Sequence, residues 1–455
     1  MSIEASINSS ISGDILSSIG SEGLAFGAIA QYDDSSIIGS NPVTEWKNKA
    51  GGGTAFDLDV VVGTGANLAT LDAGVALLTG VAGDFFSTPD SVAASITGDI
   101  DIRVRVAMDD WTPAAIDSVI GKWPEGGQNS YLLQYLTTGK LRLLTTSDGS
   151  ASIFQDSTVG AGFTDGSTHW LRVTLDVDNG ATQHVYTFFT SDDITDDPDL
   201  VTWTQLGTTV TVSAVVSIFD GTGSVETGAH QGGVAAPLAG RCHRAAILNG
   251  IDGTIAVDFN PALATVNTST FTAATGEVWT ANGDAFVNAT GFTGIYSRGS
   301  VGLETTTGQT INSPVTVFAV VKPTLAAPGA DQFIFDAKSE AGERMAVFSD
   351  ESNSDRFSIF QGGGTIGLSQ GYDNDFSVFT GQFLGTASTK LTQSDVGSVT
   401  SDAGSNNFDF VSIFMVLGGT LTIQGLFLEF VVYDRALNAS EILQNQTFLE
   451  GKYKT

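Results

Sequence analysis

The residues of this chain that could do chemistry are mainly acidic. Residues 191–199 read Ser-Asp-Asp-Ile-Thr-Asp-Asp-Pro-Asp, which gathers Asp192, Asp193, Asp196, Asp197 and Asp199 into one short run. Hard oxygen donors at that density suit calcium, the one cofactor the sequence offers, so these five are the candidate metal ligands. The run lacks the Asp-x-Asp-x-Asp-Gly…Glu spacing of a calcium loop, and a solvated acidic loop is the competing reading. Glu340, Glu343 and Glu351 form a second acidic group. As glycosidic acid and base they would have to face each other across a substrate, but Glu340 and Glu343 flank a glycine turn, where carboxylates are usually just solvated.

Other chemistry is sought and not found. His169, His184, His230 and His243 are too scattered for a chelate motif, and Cys242 beside His243 on a strand would point to the opposite face. There is no Gly-x-Ser-x-Gly elbow, and the glycines at 362–364 lack the Lys-Ser/Thr of a phosphate loop. For sugar binding the candidates are aromatic residues near polar loops: Trp111, Trp123, Trp203 and Tyr372. Each is also a normal core or rim residue of a β-sandwich.

The elements that must position these residues are strands. Of 455 residues, 54 are Gly and 28 Phe, while charged residues make up only 15%, which describes an all-β chain with tight turns. In 100–106, Ile100, Ile102, Val104 and Val106 alternate with Asp101, Arg103 and Arg105, which predicts a strand with its charged face in water. Leu171, Val173, Leu175 and Val177 lead to Asn179-Gly180, a two-residue hairpin signal because both turn positions need positive φ. Further strands are expected at 131–136, 140–146, 184–190, 315–321, 333–336, 345–348, 357–361 and 408–416. The net charge of −31 with only 19 Lys and Arg argues against nucleic acid, whose phosphates need cationic partners. One cysteine, Cys242, excludes an intramolecular disulfide. No apolar run is long enough to insert in a membrane, and residues 1–10 do not read as a signal peptide.

The end of the chain is the most specific stretch. Residues 421–434 read as a strand apolar on both faces, which calls for cover on both sides. Asn438 with Glu441 three residues on is a capping-box pattern, Leu437 and Ile442 can close a hydrophobic staple, and Gly451 is the expected stop of the helix. The run Glu429, Phe430, Val431, Val432, Tyr433, Asp434, Arg435, Leu437 and Glu441 resembles the closing strand and helix of concanavalin A-like (laminin-G-like) jelly-roll modules. Residues 42–53, with Trp46 ahead of Asn48-Lys49-Ala50-Gly51, resemble the lead-in of the same family, and residues 271–283 around Trp279 are a second, similar lead-in.

The resemblance implies two tandem antiparallel β-sandwich domains: an arm at 1–25, a lead-in β segment at 26–84, a first sandwich at 85–262, and a second at 263–455 ending in a short helix. Family members that are glucanases carry a Glu-x-Asp-x-x-Glu run, which is absent here, so the expected protein is not an enzyme. The layout resembles modules of bacteriophage virion proteins. That resemblance implies a homo-oligomer, a trimer favoured, displayed on a tail or capsid surface. It would be made in the host cytoplasm, dock to other virion proteins through the arm, and meet host-surface glycans with its loops. A bacterial carbohydrate-binding module and a polysaccharide-degrading enzyme are the alternatives.

Overall fold

The alternation of Ile100, Ile102, Val104 and Val106 does build a strand, Ile100–Met108, whose apolar face enters a large core. The computed structural model describes residues 23–454, apart from positions 26, 40–42, 63–68, 299–300, 306–309, 324–330, 338–343, 351–355, 369–374, 386–387, 409–411 and 414–423. Its packing divides the chain into two units, one of Met1–Thr70 with Gly294–Thr455 and the other of Leu71–Thr293. The fold is all-β, with antiparallel strand pairs and one described α-helix, Ala439–Tyr453.

The unit Leu71–Thr293 has two sheets. In one, Ile100–Met108 lies between Thr168–Asp176 and Ala239–Asn249, and the order continues outward to His184–Ser191 on one side and to Val75–Thr79 and Phe286–Asn288 on the other. The second runs from Ser152–Asp156 through Leu141–Thr146, Tyr131–Tyr135, Asp117–Lys122, Val225–Thr227 and Phe85–Thr88 to Val278–Asn282 and Thr270–Thr272. Their inward residues share one core, from Ile102, Val104 and Leu171 to Leu133, Tyr135 and Trp279.

The other unit is also two-sheeted. Gln424–Tyr433, the two-sided closing strand, pairs with Val315–Pro323, Gly294–Arg298 and Ala30–Tyr32. The facing sheet runs from Ile37–Ile38 through Glu45–Trp46, Leu58–Val62, Val301–Thr305, Ser412–Ile413, Gln332–Asp336, Met345–Asp350 and Arg356–Gln361 to Thr365–Gly367. Phe430 and Val432 of the closing strand meet Trp46, Phe335 and Phe408 in the shared core.

The tandem boundaries therefore need correction. The expected lead-in, 26–84, is divided: Ala30–Tyr32 and Leu58–Val62 pair with strands after residue 294, whereas Val75–Thr79 pairs with Ala239–Asn249. Residues 270–288, expected to open the second sandwich, instead complete the first, with Val278–Asn282 on Phe85–Thr88 and Phe286–Asn288 on Val75–Thr79. The tryptophans of the two expected lead-ins pack in the opposite sandwiches from those expected, Trp46 with Phe427 and Trp279 with Phe259. One sandwich is thus inserted into the other. Strand pairing between distant segments leaves no local mark in a sequence, so an order of elements read along the chain gives tandem modules.

Smaller expectations also shift. The turn after Asp176 is wider than two residues: Asn179 N–H reaches Gln183 O at 2.9 Å, and the positive φ values fall on Gly180 and Thr182. The helix starts as expected, with Asn438 accepting from Ser440 and Glu441 and Glu441 answering to Asn438 N–H. It passes through Gly451 to Tyr453 because Lys452 and Tyr453 have partners beyond the helix, both reaching Glu429 at 2.9 and 2.7 Å. Most of the expected arm lies outside the described residues; its last part is tied to the helix, with Ala25 N–H on Asn445 Oδ1 at 2.6 Å.

Candidate functional site

The five carboxylates of the acidic run do not converge. Asp196 pairs with Arg105 at 2.7 Å, Asp199 with Arg103 at 3.1 Å and Asp192 with His169 at 2.7 Å, while Asp193 and Asp197 accept backbone N–H groups of Thr202 and Asp199. Among the described residues no group of three or more His, Cys, Asp or Glu could hold a metal ion. The run instead ties its loop down onto the outer face of the sheet, where Trp170 Nε1 donates to Thr195 O and Arg103 to Pro198 O, each at 2.9 Å. This corrects the reading of that face as open to water. Asp101 is fully buried, bridging Arg103 and Arg172 at 2.9 and 2.8 Å.

The aromatic candidates scatter as well. Trp111 is buried, its indole N–H donating to Ser167 O, and Trp123 is 4% exposed. Trp203 is half-buried, edge-on to Trp170 and within 5.4 Å of the Arg172 guanidinium. Tyr372 and the glutamates 340, 343 and 351 lie outside the described residues. His243 is half-buried beside Arg105 and Arg241, and its neutral Nδ1 faces Arg105 Nη1 at 3.1 Å; desolvation first, then those two cations, push its pKa down to about 3. Cys242 points the other way, into the core, where burial lifts its thiol to about 12, far from a thiolate.

A groove that the sequence did not single out stands on the outer face of the C-terminal unit. Four neighbouring strands build it: Gln332–Asp336, Met345–Asp350, Arg356–Gln361 and Thr365–Gly367. Register pairs Phe333 with Phe348, Ala346 with Phe360, and Phe360 with Thr365, so these side chains share one face. Met345, Val347, Phe357, Ile359 and Ile366 take the opposite face and fill the core. A bulge between Phe333 and Phe335 sends both Ile334 and Phe335 inward and leaves Phe333 outside. Phe333, Ala346 and Phe348, with Phe360 against them, form an apolar cluster separate from the core.

The groove has a cavity of about 150 Å³ lined by Asp331, Phe333, Arg344, Ala346, Phe348, Phe360 and Thr365. The Phe333 and Phe348 rings stack at 5.0 Å with a 16° interplanar angle, and the Arg344 guanidinium lies 5.3 Å from the Phe333 centroid. Arg344 Nε is anchored 3.3 Å from Asp336, whose side chain is wholly buried. An apolar wall, a planar cation held by a buried acid, one carboxylate and one hydroxyl therefore meet around a space of one-ring size.

No family model matches this chain, and no curated protein does. Solved structures of similar layout include the IT-sialidase CBM40 of Ruminococcus gnavus bound to alpha2,3 sialyllactose, at 17% identity over 40% of this chain and 91% of that one, TM-score 0.27. Domain 4 of AbnA, a GH43 extracellular arabinanase from Geobacillus stearothermophilus, in complex with arabinotriose, matches 36% of this chain and 80% of its own at 12% identity, TM-score 0.30. The K499G mutant of NanB sialidase from Streptococcus pneumoniae matches 74% of each chain at 10% identity, TM-score 0.28.

Proposed function

We propose that this protein binds glycans, without transforming them, through the groove of Phe333, Phe348, Phe360, Arg344, Asp331 and Thr365. The observation that carries this reading is an aromatic cluster on the outer face of a sheet whose inner face already fills a core. Outer faces of antiparallel sheets are ordinarily polar, and here an apolar floor with a few convergent polar groups lines a cavity, the usual make-up of a small-ligand site. Phe333, Ala346 and Phe348, 3%, 0% and 6% exposed, make the floor, and the half-buried Phe360 offers its ring to the C–H face of a sugar, while the Arg344 fork can bond its hydroxyls or carboxylate and Asp331 its hydroxyls. Pockets for drug-sized ligands run to roughly 300–1,000 Å³, so a cavity half the lower bound fits a single sugar ring.

Such a contact is weak; a millimolar site is worth about 4 kcal/mol. Display in several copies raises avidity by roughly 10² to 10⁴ without a new contact. Display on a virion, trimeric assembly and docking through residues 1–25 belong to the same proposal and rest on the sequence resemblance alone. Deleting residues 1–25 is expected to abolish incorporation into particles, and undiminished incorporation would refute the docking arm.

The test is an array of bacterial-surface glycans probed with multivalently presented protein, wild type beside Phe360→Ala and Arg344→Lys. Wild type is expected to retain a defined subset. Each variant is expected to lose about tenfold or more, the lysine because it lacks the planar fork. No retention by wild type, or full retention by both variants, rejects the site.

A further inference from the structure

We propose that the unit Leu71–Thr293 carries a hydrolytic site, Ser167–His169–Asp192, that cleaves uncharged, activated acyl esters. Ser167 stands just before the strand Thr168–Asp176 and His169 two residues on, a spacing that puts both side chains on one side. Ser167 Oγ lies 2.7 Å from His169 Nε2, and Asp192 Oδ1 lies 2.7 Å from His169 Nδ1. Nucleophile, base and orienting acid thus meet the ring nitrogens in the order that a serine hydrolase requires, which is recognised by geometry and not by sequence position. The ring is held in place: Phe163 stacks on it at 3.6 Å and 5°, and Trp111 meets it edge-on at 5.7 Å.

With Asp192 accepting from Nδ1–H, a neutral His169 presents a bare Nε2, and the only hydrogen that can lie between it and Oγ is the serine's own. Ser167 Oγ is also within reach of Thr164 O, and its hydroxyl rotates between the two acceptors. Attack of Oγ on an ester carbonyl forms the Oγ–C bond as Nε2 takes the hydroxyl proton. The C–O bond to the leaving alcohol then breaks as Nε2 returns that proton to it. Water repeats the sequence on the acyl-serine, giving the free acid and restoring Ser167.

Substrate class follows from the surroundings. Ser167 is half-buried beside exposed Thr164, Asp165 and Asp192, so two carboxylates at the rim disfavour anions. The Ser167 and Gly166 N–H groups are engaged by Thr164 O and Met108 O at 3.0 and 2.7 Å and offer no oxyanion hole. Activated esters, not amides, are therefore the expected substrates.

The test uses the full chain with p-nitrophenyl acetate and, separately, a fluorophosphonate, followed by peptide mapping. Wild type is expected to carry the acyl and phosphonyl groups on Ser167. Ser167→Ala and His169→Gln are expected to lower ester turnover about 10²-fold or more while circular dichroism stays unchanged. No label on Ser167 in wild type overturns the proposal whatever the variants do. Label at the wild-type rate in His169→Gln also overturns it. Either result leaves the three residues as a clamp that holds the acidic loop.

Discussion

At the scale of single residues, burial decides what the titratable groups do. Desolvation, with the negative charge of Asp110 added, lifts the Asp117 carboxyl to about 7. An unfolded Asp titrates near about 3.9. Below that value both states hold the proton and the folded state is at no disadvantage. As pH rises toward 7 the unfolded chain ionises first, so stability falls, and the slope ends once the folded carboxyl ionises too. His243, depressed to about 3, adds the opposite slope over the acid range in wild type and variant alike. Subtracting the melting curve of Asp117→Asn from that of wild type isolates the first effect. The variant is expected to gain on wild type steadily from about pH 4 to 7; equal slopes would show that Asp117 is not desolvated. The acidic run belongs to this scale as well. Its composition was legible, but its partners were not, because Arg103, Arg105 and His169 come from strands more than 20 residues away.

At the scale of elements, local signals were read and long-range ones were not. The closing strand and the capping box were legible because each lies within a few residues. Replacing Asn438 by Ala removes the bonds to Ser440 and Glu441 N–H and is expected to cost about 1 kcal/mol in urea unfolding. Glu429 is different: fully buried, it gathers Lys452, Tyr453 and Gln31 at 2.9, 2.7 and 2.9 Å, joining the closing strand to the helix and to Ala30–Tyr32. Glu429→Ala leaves Lys452 without that partner and is expected to cost about 3 kcal/mol by the same assay; a loss as small as that of the cap would refute the assigned role. The groove is not legible in the sequence because the strands at 345–348 and 357–361 read as core. A bulge at Phe333 decides which face that ring takes, and no period in the sequence announces it.

At the scale of the whole molecule, the sequence of one sandwich is interrupted between Thr70 and Gly294 by the sequence of another. Composition and the terminal motif were enough for the fold class; the nesting was not legible, because the strands that complete each sandwich come from opposite ends of its sequence. Residues 71–293 expressed alone are expected to unfold in one cooperative transition, since every strand of that unit is present. Residues 263–455 alone lack Ala30–Tyr32, Glu45–Trp46 and Leu58–Val62, and are expected to show no cooperative transition. The reverse result would restore the tandem boundaries. The proposed glycan groove lies wholly between residues 331 and 367, which makes its occupancy readable by position. Hydrogen–deuterium exchange of the full chain, with and without a saturating glycan retained on the array, is the most direct measurement. Slowed exchange confined to 331–336, 344–350 and 356–367 is the predicted result, and slowing in 71–293 alone, or nowhere, would contradict the account.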